Sequence, residues 1–444
     1  MTGKLSFLII ICLIWSLFLF EGAKSVNAGE KIPIGAQIVL YKAQQLAGQK
    51  KIDQAIEILK KYNAKERLKK RAKTDSRNYG HFLVDFNLGN FYFLNNAIDK
   101  AAVSYQAVVK KNPDFSPAWI NLARCNYELA RFLKAGECFA MGYKTGYASL
   151  NEKKPELLYY SAISFMTGND YQKALNIFKE LLASDPKPFK LIWQEALVQV
   201  YLALKKPYKA LPHIINLAEK TTGSKQLNWQ EILLQQYLEL GMQKKALEYL
   251  TDLTRKDPLQ QKWWKGLVHL HLAQNHQKKA LVALTVYEYI KPLSRDEQKL
   301  KADLSLMLGI PKQAAICYEN ILADGLEPAI IKRIAQSLQS LQNYSKALQW
   351  IEKGLEKFKG QELLMQKGNL LYEMEKYESA MAAYQETAEF DKTKAGQAWL
   401  MMGYAAWNMN DLISAKKALT RAAKYKNPGR AAKRALKQLK KMDN

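Results

Sequence analysis

Tyr171-Gln172-Lys173-Ala174-Leu175 and Tyr344-Ser345-Lys346-Ala347-Leu348 are two copies of one short text, and Lys209-Ala210-Leu211 is a third. Extending that register in both directions gives Ala101, Ala135, Ala174, Ala210, Ala246, Ala280, Ala314, Ala347, Ala380 and Ala415, spaced 33 to 39 residues apart. Four residues after each alanine stands a large side chain: Tyr105, Phe139, Phe178, Ile214, Leu250, Leu284, Tyr318, Ile351, Tyr384 and Leu419. Self-similarity at such a period marks stacked supersecondary units. Apolar residues recur at three- and four-residue spacing, and no segment alternates persuasively with period 2, so the units are helical. One helix pair cannot bury its own apolar face, so the pairs must stack.

Residues around the alanine ladder predict how the helices meet. Gly89, Ala123, Ala162, Ala302, Ala335, Gly368 and Gly403 lie twelve before a ladder alanine, and Trp119, Trp264 and Trp399 lie sixteen before one. Small residues let two helices cross closely, and the large residue after the alanine fills the space beside the contact. Val198, Leu234 and Val268 replace the small residue in three middle units, which predicts wider pairs there. Asn112-Pro113, Asp185-Pro186 and Asp257-Pro258 close three units. A further pair fits around Ala43 and Ala55, followed by a basic insert, Lys65 to Arg77, read as a solvated face with a docking patch as the alternative. Residues 429–444 end the chain as an amphipathic helix with Ala431, Ala435 and Leu439 on one face and Arg430, Lys433, Arg434, Lys437 and Lys440 around the others. Such a helix caps a solenoid and keeps it soluble, with membrane-surface contact as the alternative.

This pattern resembles the tetratricopeptide repeat (TPR), with its early Trp, its small residue and its Ala followed by a large apolar residue. The resemblance covers about residues 36 to 425. It implies an all-α fold, a right-handed superhelix of 10 to 11 helix pairs. The chain then divides into 1–28, 29–84 (an N-terminal pair with the basic insert), 85–428 (the solenoid) and 429–444 (the cap).

The chain's charge of +26 comes mostly from Lys, since only 11 of 67 basic residues are Arg. Arg is the side chain suited to bidentate phosphate and guanine contacts, so this surplus argues against nucleic acid and for a solvated basic surface. That surface would be drawn to anionic headgroups or acidic partners. Residues 1–28 read as an export signal: Lys4, an uncharged run from Leu5 to Phe20, and Val26-Asn27-Ala28 as a small-x-small site. The expectation is a periplasmic protein cleaved after Ala28, with retention as an inner-membrane anchor as the alternative. Cys125, Cys138 and Cys317 then remain, read as buried small hydrophobes rather than a disulfide framework.

No phosphate-cradling Gly loop, zinc-binding His-Glu-x-x-His or nucleophile-elbow motif occurs. His269 and His271 would point about 160° apart on a helix and cannot share a metal. The expectation is a protein that is not an enzyme and needs no cofactor or metal. In TPR proteins the concave face is lined by the first helix of each pair, so the resemblance implies a peptide or helix lying in that groove. Two stretches would line it. Lys265, Lys299 and Lys332 occupy one position in three successive pairs, with Asp303 set to oppose an incoming carboxylate. Met365, Tyr372, Leu400, Tyr404 and Trp407 offer an apolar anchor site in the last two.

Beyond the repeat, the chain is similar to the periplasmic TPR proteins found with TonB, ExbB and ExbD systems. The strings that carry this are Trp193, Pro207-Tyr208-Lys209-Ala210-Leu211, Trp263-Trp264, Lys279-Ala280-Leu281, Pro311-Lys312-Gln313-Ala314-Ala315 and Gly396-Gln397-Ala398-Trp399. The likeness implies an accessory of proton-driven outer-membrane uptake whose partners are TonB, ExbB or ExbD. The alternative is a scaffold for envelope assembly or export.

Overall fold

The computed structural model describes residues 32–71, 80–146, 154–184, 189–322, 325–390 and 392–442. The expected export signal lies outside these residues, as does the stretch 72–79 of the basic insert. Among the described residues there are 23 α-helices and no strand, arranged as eleven consecutive pairs and a final helix. The pairs are α1 (Ile34–Gly48) with α2 (Ile52–Arg71), α3 (Phe82–Leu94) with α4 (Ile98–Lys111), α5 (Ser116–Glu128) with α6 (Phe132–Thr145), and α7 (Pro155–Thr167) with α8 (Tyr171–Ser184). There follow α9 (Leu191–Ala203) with α10 (Pro207–Lys220), α11 (Gly223–Glu239) with α12 (Gln243–Lys256), α13 (Gln261–Ala273) with α14 (Gln277–Ile290), and α15 (Arg295–Met307) with α16 (Pro311–Ile321). The last are α17 (Pro328–Ser340) with α18 (Tyr344–Lys357), α19 (Gln361–Glu373) with α20 (Tyr377–Phe390), and α21 (Lys392–Asn408) with α22 (Leu412–Ala422), before α23 (Pro428–Met442).

One turn joins the two helices of every pair. Its left-handed residue stands five before the ladder alanine: Lys50, Asn96, Ala130, Asn169, Lys205, Gly241, Asn275, Gly309, Gln342, Glu375 and Asn410, with φ between 54° and 71°. In most of these turns the next residue donates its N–H to a carbonyl five back, as Ala97 does to Tyr92 at 2.8 Å and Asp411 to Ala406 at 2.9 Å. This satisfies carbonyls that the end of the first helix leaves over. Except at Gly241, where the chain divides into two units, the second helix therefore starts at a fixed angle to the first.

That angle buries the ladder. All ten ladder alanines and Ala55 have no exposed surface. The residue four later packs onto the small residue of the first helix, not merely beside it. A Cβ built on Gly89 would lie 2.7 Å from Cε1 of Tyr105, one on Gly368 2.5 Å from Cε1 of Tyr384, and one on Gly403 2.6 Å from Cγ of Leu419. In the three pairs that depart from the small residue, the later residue is Ile214, Leu250 or Leu284 rather than a ring.

Where that large residue is Tyr, its hydroxyl finds one partner fifteen residues back. Tyr105 donates to Asn90 at 2.7 Å, Tyr384 to Asn369 at 2.9 Å, and Tyr318 to Asp303. A buried phenol needs such an acceptor. The early tryptophans do related work between units: Trp119 Nε1 donates to the Pro113 carbonyl at 2.7 Å and Trp264 Nε1 to that of Pro258 at 2.8 Å, fixing the loop that closes the preceding pair.

The helices form two compact units, one ending at Gly241 and one starting at Met242, so the expected 85–428 solenoid spans the division. In unit 1 the core runs from Ala36 to Val200 without a break, and the α1–α2 pair shares the turn and the buried alanine of the others. The basic insert begins as a continuation of α2, which runs to Arg71, and α3 starts at Phe82. In unit 2, α23 closes the stack against α21 and α22. The face it buries is Ala432, Ala435 and Leu439, whereas Ala431 stays half-exposed; one residue separates this from the expected face. Cys125, Cys138 and Cys317 are buried free thiols. Burial pushes Cys125 and Cys138 up to about 12.

Candidate functional site: the first-helix face of unit 2

Every predicted site residue lies in unit 2, on the first helices of its pairs: Lys265 on α13, Lys299 on α15, Lys332 on α17, Met365 and Tyr372 on α19, and Leu400, Tyr404 and Trp407 on α21. The structure separates them into two kinds of surface.

The lysine row is part of an ion-pair ladder running from one first helix to the next. Lys265 reaches Glu297 at 2.9 Å, Arg295 pairs with Glu327, and Glu362 is held between Lys332 and Lys394, each at 2.8 Å. Each partner lies about one unit away in sequence, so these contacts tie neighbouring pairs together. The two lysines hold the Glu362 carboxyl at about 2, far below its ordinary value. Glu297 is also lowered: burial works against ionisation, but the Ser294 backbone and Lys265 outweigh it. Lys299 is exposed and has no ion pair among the described residues, so it alone of the three offers its charge to a ligand. Asp303 accepts the Tyr318 hydroxyl, and Arg333 approaches it at 4.0 Å; its charge is used within the fold. Surface pairs of this kind contribute about 0 to 1 kcal/mol each.

The second surface is apolar. Met365, Tyr372, Tyr404 and Trp407 are half-buried against the core of α19 to α23, while Leu400 belongs to that core, only 5% exposed. Tyr372 meets Tyr377 edge to face at 5.4 Å between ring centres, and its hydroxyl accepts from Asn408 of the next pair at 2.8 Å. The Tyr372 ring is thus held in place while part of it faces outward. A surface of pre-oriented aromatic side chains binds an apolar anchor with little ordering cost. Sequence reading missed Asn408, Glu362 and Lys394, although about one unit's length added to Tyr372 reaches Asn408, added to Lys332 reaches Glu362, and added to Glu362 reaches Lys394.

Elsewhere, His271 is buried and His276 exposed, with ring centres 6.0 Å apart. Burial, then Lys279 and His276, lowers the His271 pKa. Among the described residues no three potential metal ligands are grouped, and no helix is long and apolar enough to cross a membrane.

Paired helices with a repeated turn, a buried alanine ladder and a lined first-helix face define an α-solenoid. Residues 156–188, 361–393 and 396–427 match the tetratricopeptide repeat family, and the same turn and ladder recur in the remaining pairs. These three stretches are tetratricopeptide repeats. No curated protein matches the sequence. Among solved structures it is similar to Naa15/Naa10 bound to HypK-THB (17% identity, TM-score 0.41), covering 85% of this chain and 62% of that one. It is also similar to yeast Tom70 (14%, TM-score 0.32, 92% and 96%) and to YrrB, described as a TPR protein with an unusual peptide-binding site (17%, TM-score 0.31, 47% and 98%). Superpositions this partial carry no argument about what the chain binds.

Proposed function

We propose that this chain is a non-catalytic scaffold of the cell envelope that holds a protein partner on the first-helix face of α19 and α21, as an accessory of a TonB-type uptake system. The carrying observation is the set Met365, Tyr372, Tyr404 and Trp407, all half-buried against the core, with Tyr372 braced by Asn408. TPR proteins bind peptides and helices through this face, and an apolar anchor with flanking polar groups is the ligand such a lining fits. The export signal read in residues 1–28 and the likeness of the strings from Trp193 to Trp399 support the envelope setting.

Tyr404→Ala with Trp407→Ala is expected to weaken partner capture at every salt concentration, because it removes contact area rather than charge. Lys299→Gln is expected to reduce capture chiefly at low salt. Lys265→Gln and Lys332→Gln also break ladder pairs, so Lys299 is the cleaner charge variant. Crosslinked pull-downs against ExbB, ExbD and TonB, with thermal unfolding as the control, test both. Undiminished capture by a folded Tyr404→Ala/Trp407→Ala protein would rule out this face. Capture of export or assembly components instead would replace the TonB reading with the envelope-assembly one.

A further inference from the structure

Two grooves run side by side along the second helices of unit 1. One, of about 1110 Å³, lies between α2 and α4 with α3 as its floor; the other, of about 660 Å³, lies between α4 and α6 over α5. They repeat in register. Asp85, Leu88 and Tyr92 floor the first, and Trp119, Leu122 and Asn126 floor the second, from the same three positions of successive pairs. Val103, 72% exposed, and Ala107 are shared by both, so the rim between them is low and apolar.

The charges on the walls decide what fits. Every carboxylate lining the grooves already has a cation: Asp85 has Lys111 at 2.5 Å, Asp99 has Arg131 at 3.0 Å and Glu137 has Lys173 at 3.8 Å. Lys100, Lys110 and Lys134 have no ion pair among the described residues. A floor of Leu88, Tyr92, Trp119 and Leu122 beside the ion-paired Asp85 and the buried Asn126, with Val103 standing in water and edge lysines that no carboxylate pairs, Lys100 lying over the Tyr92 ring, suits a helix carrying apolar residues on one face and carboxylates beside them.

We propose that these adjoining grooves bind an acidic amphipathic helix of a partner protein, with its apolar face over Val103 and its carboxylates on Lys100, Lys110 and Lys134. This makes the second-helix side of unit 1 a docking surface separate from the aromatic face of unit 2, and it does not depend on the function assigned to that face.

The probe is a fluorescein-labelled acidic amphipathic helical peptide of Leu, Ala and Glu, titrated against the full chain by anisotropy, beside a scrambled peptide of the same composition. The ordered peptide is expected to bind and the scrambled one not. Val103→Glu with Gln106→Glu, both exposed positions, is expected to weaken binding about tenfold or more through like-charge repulsion and lost apolar contact. Tyr404→Ala with Trp407→Ala is expected to leave it unchanged. Maleimide labelling in a Cys12→Ser background reports the place directly, since the other three native thiols, Cys125, Cys138 and Cys317, are buried: the peptide should protect Val103→Cys, and should not protect Val282→Cys at the same position of α14. Equal binding of both peptides, an unaffected double variant, or absence of protection at Val103→Cys would overturn the proposal. So would a wild-type dimer, seen by sedimentation, that Val103→Glu/Gln106→Glu splits, because the occupant would then be a second copy of the chain.

Discussion

A methyl group added at Gly368 would sit 2.5 Å from Cε1 of Tyr384, a ring with no exposed surface and a hydroxyl tied to Asn369. The same addition at Gly266 meets the end of Leu250 at 2.9 Å, and a leucine end can swing aside. Alanine otherwise gains about 1 kcal/mol over glycine inside a helix. Gly368→Ala is therefore expected to destabilise by about 1 to 3 kcal/mol through overpacking, and Gly266→Ala to be near neutral, as read by urea unfolding. The close fit was legible in outline, since Gly368 and Tyr384 both stand in the repeat register. The tyrosine acceptor was not read, although Asn90, Asp303 and Asn369 each sit fifteen residues before a ladder-linked Tyr. The left-handed turn was hidden too. Asn96, Asn169, Gly241, Asn275, Gly309 and Asn410 suit that conformation, but Lys50, Ala130, Lys205, Gln342 and Glu375 occupy it without any favourable propensity, because packing on both sides enforces it. Ala130→Gly is expected to stabilise by roughly 0.5 kcal/mol, the relief of Cβ strain less the added chain entropy.

Between elements, the ion-pair ladder has a definite acid response. The Glu362 carboxyl is held at about 2 in the folded chain, against an ordinary value of 4.5. Its contribution is therefore complete above pH 4.5 and is lost as pH falls from there toward 2. Because the side chain is 56% exposed, screening leaves it no more than about 1 kcal/mol. Glu362→Gln is expected to flatten the acid limb of the stability curve by that amount and to leave stability at high salt nearly unchanged. The start of α15 gives a second test: Ser294 and Glu297 form a reciprocal cap, and Ser294→Ala should cost about 1 kcal/mol. The row formed by Lys265, Lys299 and Lys332 was legible as a row and not as a ladder. Carboxylates one unit away carry no hydrophobic signature, and only the stacked geometry selects Glu297 and Glu362 from the other acids nearby.

For the whole molecule, the number and order of helix pairs could be read from the alanines, but the division after Gly241 could not. The turn there uses the same left-handed position as every other turn, and composition does not change across it. Ala280 lies in unit 2 with no exposed surface, so Ala280→Trp should cost about 1 to 3 kcal/mol or more. In a quasi-one-dimensional stack the loss should stay near the insult. Amide exchange is expected to accelerate in α13 to α16 and to stay unchanged in α3 to α8. Faster exchange in both stretches would mean that the units unfold as one.

The repeated turn has a consequence for how such a gene can change in length. Each left-handed residue stands five before its alanine, so removing 276–309 joins Asn275 to Ile310 and restores that spacing to Ala314. Trp264 would again precede a ladder alanine by sixteen, and α13 would be followed by α16 in place of α14. Unequal recombination between two such turns adds or drops a whole pair while leaving every remaining joint intact. Length is therefore a property that this lineage can vary in single steps without first passing through a misfolded intermediate.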